Sequence, residues 1–92
     1  MDFQGLKKGM PIRAKILNII GVRTFAINAG KLKGITLKMK FEILAPASEG
    51  KTAPAVKSRV RVVEVYDKFS LTENYEPVKI KINVGDDLIQ IS

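Results

Sequence analysis

From Leu37 to Ile43 the chain reads Leu-Lys-Met-Lys-Phe-Glu-Ile, apolar at every odd position and charged at every even one. A period of two marks a strand with one buried face. An earlier strand is predicted over Pro11 to Ile20, with Ile12, Ala14 and Ile16 on one face and Arg13 and Lys15 on the other. After Ile16 the apolar positions change phase to Leu17 and Ile19, which predicts a β-bulge or a strand end buried on both faces. Gly21 supplies a turn, and Arg23 to Asn28 returns as a second strand with Phe25 and Ile27 together, so the two pair as a hairpin.

Arg59 to Tyr66 is rich in valine, but Val60 and Val62 fall on one face and Val63 and Val65 on the other, which predicts a second bulge or two-sided burial. A short strand is expected over Phe69 to Thr72. Pro77 to Val84 alternates Val78, Ile80, Ile82 and Val84 with Lys79, Lys81 and Asn83, and Leu88 to Ile91 closes the chain. Between the third and fourth strands, residues 45–58 turn to Ala, Pro, Ser, Gly, Lys and Thr, and Pro46, Gly50 and Pro54 break regular structure. This stretch is expected to be a long flexible loop, and residues 1–9 an N-terminal arm. The fold class is therefore all-β: a single small six- or seven-stranded β-barrel, SH3-like or OB-like, closed or nearly closed because closure removes exposed strand edges.

Two segments echo each other, Gly5-Leu6-Lys7-Lys8-Gly9-Met10-Pro11-Ile12 and Gly34-Ile35-Thr36-Leu37-Lys38-Met39-Lys40-Phe41, with Val84-Gly85-Asp86-Asp87-Leu88 as a fainter third copy. A recurrent turn leading into a strand accounts for all three, with a true internal duplication as the alternative.

A length of 92 residues suits one domain, residues 1–92, burying about 60 to 65 per cent of its unfolded surface. An apolar fraction of 46% with only four prolines belongs to a folded chain. The longest apolar stretch, Ile16 to Val22, is broken by Asn18 and Gly21 and falls far short of a membrane span. Lys7 and Lys8 are followed by Arg13 and Lys15 rather than by an apolar signal core, so no signal peptide is expected within this sequence.

Charge adds a direction. Nine basic residues and one acid up to Phe41 give +8, whereas seven basic and eight acidic residues from Glu42 give −1. A field of this sign attracts polyanions and acidic surfaces. Arg13, Lys15, Arg23, Lys38 and Lys40 are the candidate anion- or partner-binding face, assigned to the polar sides of three neighbouring predicted strands. Tyr66, Phe69 and Tyr75 are candidate platforms for stacking bases. Phe25 and Phe41 fall on apolar faces and belong to the core, and Phe69 is expected to pack under a loop, which leaves Tyr66 and Tyr75 for stacking.

With no histidine and no cysteine, Ser-His-Asp and Cys-His catalysis, disulfides and the usual zinc sets are excluded. No Gly-x4-Gly-Lys-Ser/Thr and no Gly-x-Gly-x-x-Gly occurs, so nucleotide-cofactor chemistry has no motif to rest on. Asp86 and Asp87 are adjacent and would point to opposite faces of a strand, and a solvated turn is expected there. Glu73 and Glu76 read as surface residues. An enzyme would need Glu64, Glu73, Glu76 or Asp86 to converge in one cleft. No catalytic residue, metal or cofactor is expected.

The order of pieces resembles a known family. A strand and glycine turn, Ile27-Asn28-Ala29-Gly30, Gly34-Ile35, Met39-Lys40-Phe41-Glu42-Ile43, a variable loop, a valine-rich strand with Ser70, and Val84-Gly85-Asp86 together resemble the C-terminal β-barrel domain of the bacterial flagellar assembly protein T and similar envelope-associated small barrels. The resemblance covers about residues 10–91. Where that pattern carries a glycine just before the Met39 position, this chain has Lys38. The resemblance implies a non-catalytic accessory barrel that binds a protein partner within a larger assembly, in the envelope or periplasm for an excised domain and otherwise in the cytoplasm. The alternative from the basic face is a small nucleic-acid-binding barrel for single-stranded DNA or RNA. Oligomeric state is left open.

Overall fold

A computed structural model describes residues 10–45 and 55–92. Among these residues six strands form, β1 (Arg13–Ile19), β2 (Thr24–Ile27), β3 (Lys40–Leu44), β4 (Val56–Val65), β5 (Ser70–Asn74) and β6 (Asp87–Gln90), with one turn of 3-10 helix at Lys31–Lys33. Every pairing is antiparallel, and the ring closes in the order β1-β2-β5-β4-β3-β6. The all-β barrel expected from the alternating patterns is thus the observed fold, with six strands among the described residues. No helix among them is long and apolar enough to cross a membrane.

Alternation decides what fills the barrel. Ile16, Phe25, Ile27, Phe41, Ile43, Val60, Val62 and Leu88 point inward and are buried. The β2 to β3 connection leaves the barrel beside Ile27 and Ser70, and the β5 to β6 connection leaves beside Thr24 and Glu73, so they close opposite ends. Ala29 and Ile35 join the core from the first connection and Ile82 from the second. Gly30 lets the first connection dock on the β4–β5 hairpin: a Cβ there would fall inside contact distance of the Tyr66 carbonyl and 2.7 Å from Phe69 N.

The two phase changes in sequence correspond to register shifts, between Ile16 and Asn18 in β1 and between Val62 and Glu64 in β4. A third, between Ile43 and Leu44, lies opposite Lys57. Gly34 and Gly85 adopt φ of 90° and 91°, so the second and third copies of the echoed segment both contain left-handed glycine turns. The first copy lies mostly outside the described residues.

Three expectations about element bounds are corrected. Leu37 and Lys38 form a turn and β3 begins at Lys40, because the chain must bend after the 3-10 turn before it can pair with β4. Leu37, assigned to the buried face, is exposed. Pro77 to Val84 is irregular rather than a strand, since a closed ring of six offers no edge for a seventh; only Ile82 of its four apolar residues is buried. β4 starts at Val56, so Val56, Lys57 and Ser58 belong to a strand instead of the expected loop, and Lys57 and Ser58 are buried. The rest of that loop, residues 46–54, and the N-terminal arm lie outside the described residues.

Candidate partner-binding face

Closure divides the five basic residues. β6 lies between β1 and β3, so Arg13 and Lys15 are separated from Lys38 and Lys40 instead of sharing three adjacent strands. Arg13 and Lys15 line a groove of about 340 Å³ with Asn28, Lys33 and Asp87. Lys15 and Asp87 are register partners, and their side chains pair at 2.6 Å. The Lys15 charge is therefore already engaged on the barrel wall.

The second group is built differently. Lys40 on β3 stands opposite Arg61 on β4. Both cations approach the ring of Tyr75, Lys40 Nζ at 5.4 Å and the Arg61 guanidinium carbon at 5.7 Å from its centroid. Arg61 and Lys38 also rim an apolar groove of about 260 Å³ with Leu37, Val62 and Val63. Arg23 attaches at the edge of this region: its Nη2 donates to the Asn74 carbonyl at 3.1 Å, and Asn74 N donates to the Arg23 carbonyl at 3.2 Å. Lys38, Lys40 and Arg61 make no ion pair among the described residues, although Glu73 stands opposite Arg61 in the β4–β5 register.

Lys38 carries a backbone cost. Its φ of 71° makes it the one non-glycine residue with positive φ among the described residues. For an L-residue the left-handed region costs about 1–2 kcal/mol. The conformation is held by Lys38 N donating to the Val62 carbonyl and Val62 N donating to the Met39 carbonyl, both at 2.9 Å.

Neighbouring Arg59 is committed elsewhere. Its Nε donates to Glu42 at 3.0 Å and its Nη1 to Glu76 at 2.8 Å. These carboxylates favour the charged guanidinium and raise its pKa above the ordinary arginine value, the Glu42 hydrogen bond most strongly. Glu42 and Glu76 are thereby drawn toward Arg59.

The aromatic candidates are not brought together. Tyr75 follows β5 at the end marked by Asn74, whereas Tyr66 follows β4 at the opposite end of that strand pair. Tyr66 stacks on Phe69 with centroids 4.6 Å apart, and Phe69 is partly exposed rather than packed under a loop. The Tyr66 hydroxyl donates to Glu64 at 2.9 Å. That hydrogen bond and the carboxylate charge hold the phenol above its ordinary pKa. A carboxylate beside the ring also opposes an approaching phosphate backbone.

The remaining carboxylates do not converge. Glu64 bonds Tyr66, Glu76 bonds Arg59, Glu73 sits on β5, and Asp86 pairs with Lys57. Asp86 corrects the expected solvated turn, because it is buried. Arg61 is the site residue that the sequence reading passed over; its polar position between inward Val60 and Val62 is the same signal that identified Lys40 beside Phe41. Lys33 was likewise missed in the first groove.

Comparison with known protein families and with curated proteins finds no match.

Proposed function

We propose that the chain is a non-catalytic β-barrel interaction module that docks a protein partner on the surface formed by Leu37, Lys38, Lys40, Arg61, Val63 and Tyr75. The observation that carries this reading is Lys38: a cation held at positive φ on the rim of an apolar groove that it shares with Arg61, whose guanidinium stands over Tyr75. Strained backbone persists where the surroundings over-determine it, and functional surfaces are the common place for it. Arginine and tyrosine beside a small apolar pocket also form the composition of an interface hot spot. The partner's complementary feature is an apolar side chain flanked by carboxylates.

The resemblance to the flagellar assembly protein T barrel supports the same reading, and we extend the proposal to an accessory role in a larger assembly. The left-handed backbone at Lys38 is the conformation that the glycine of that family's pattern would serve. Nucleic-acid binding is the second reading, favoured by the two cations over Tyr75. Division of the basic residues and the Glu64 carboxylate at Tyr66 count against it. Fluorescence anisotropy with single-stranded and duplex oligonucleotides across a salt series separates the two. The protein-docking reading expects no binding that tightens steeply as salt falls; micromolar binding with a slope of several phosphates would replace it with the nucleic-acid reading.

A further inference from the structure

The β1–β2 hairpin carries a second surface. Its tip exposes Ile19, Ile20 and Val22, and Val22 is 93% exposed. Leu17 continues this apolar stripe down β1, and Val84 adjoins it, because Gly85 N donates to the Ile16 carbonyl at 2.8 Å. The hairpin from Arg13 to Asn28 contains Arg13, Lys15 and Arg23 and no acid. The acids facing it are Asp87, paired with Lys15, and Glu73, opposite Thr24.

Two features decide what would cover this tip. It projects as a narrow turn around Gly21, where an added Cβ would meet nothing within 4 Å, so it has no concave complement of its own. Three of its backbone donors are satisfied internally: Ile20 and Gly21 N–H groups donate to the Thr24 carbonyl, and Ile19 N–H to Asn18 Oδ1. Satisfied donors discourage strand addition by another chain and lower the cost of entering a medium without water. A projecting apolar turn with Arg23 beside it and no acid on the hairpin suits a fluid, negatively charged interface, where aliphatic tips enter the headgroup boundary and a flanking cation remains at its surface.

We infer that the β1–β2 hairpin tip inserts Ile20 and Val22 into the surface of an anionic lipid bilayer. Ile20 and Val22 are not among the residues of the Tyr75 face, although Arg23 borders both surfaces. The chain has no tryptophan, so Val22→Trp provides a single reporter at an exposed position. Mixed with phosphatidylcholine vesicles containing phosphatidylglycerol, this variant should float with them and shift its emission to the blue; with phosphatidylcholine alone it should do neither. In the otherwise native chain, Ile20→Ser with Val22→Ser should weaken flotation roughly tenfold or more, with the circular dichroism spectrum unchanged. The inference is overturned by absence of vesicle binding, by binding without a blue shift that salt abolishes, or by a concentration-dependent blue shift without vesicles, which would mark a contact between copies.

Discussion

The Lys57 ammonium lies 2.6 Å from Oδ2 of Asp86, with both side chains almost wholly withdrawn from solvent. Lys57 Nζ also donates to the Lys81 carbonyl at 2.7 Å, and Asp86 Oδ2 accepts from Asn83 N at 2.7 Å. The pair thus ties the β5 to β6 connection to the start of β4. Removing either partner strands a buried charge, so Lys57→Met or Asp86→Asn alone should destabilise the fold by about 3–5 kcal/mol. Lys57→Met with Asp86→Asn should cost less than the two single losses added, by about 0.5–3 kcal/mol. Urea unfolding of the four proteins checks this, and additive losses would show that the pair is not coupled.

Lys38→Gly separates backbone strain from charge. Relief of the positive φ is offset in part by the greater freedom of glycine in the unfolded chain, leaving a gain of about 0.5–1 kcal/mol. In a domain of this size that is a rise of several degrees in Tm, about 4–8 °C per kcal/mol. The same substitution removes a rim cation and should weaken partner binding. A lower Tm would contradict the account of Lys38.

Gly30→Ala should act through the backbone. The added methyl would meet the Tyr66 and Asp67 carbonyls and Phe69 N, so the first connection must draw away from the β4–β5 hairpin. The bonds from Lys31 N to the Tyr66 carbonyl and from Leu32 N to the Asp67 carbonyl would lengthen or break. A loss of about 2 kcal/mol or more is expected, in the range of overpacked sites, with faster amide exchange at Lys31 and Leu32. Unchanged exchange would place the hairpin elsewhere.

Tyr66 should titrate late. Glu64 accepts its phenol proton in a hydrogen bond, and the carboxylate charge opposes the phenolate, so both effects favour the neutral ring. Glu64→Gln removes the charge, and the Tyr66 midpoint should fall toward the ordinary value of about 10. Phenolate absorbance across an alkaline titration, with Tyr66→Phe to assign the signal, measures the change. A midpoint unaffected by Glu64→Gln would remove the pairing from the account.

Alternation made the barrel legible. Phe41 and Ile43 could be placed inside from the alternation that runs from Leu37 to Ile43, whereas the choice of Val60 and Val62 over Val63 and Val65 was not readable, and the phase changes at Leu17 and Val63 marked two register shifts. The same signal misled at Leu37 and across Pro77 to Val84, where closure of the ring left no strand to pair with and the apolar residues lie mostly outside. Lys57 and Asp86 were hidden for another reason. Neither is remarkable in its local sequence, and burial of the pair depends on a connection folding back over β4 from 29 residues away. Site residues followed the same division: Lys40 was readable from its strand, whereas its alignment with Arg61 and its separation from Lys15 follow from strand order.

The most direct test of the docking face is site-specific photocrosslinking in native lysate, with a benzophenone amino acid in place of Leu37 in the groove or of Lys68 at the far β4–β5 turn. The account predicts a discrete protein adduct from position 37, none from position 68, and loss of the adduct when Lys38→Glu and Arg61→Glu are added. Adducts that form equally from both positions, or that survive the two charge reversals, would contradict it.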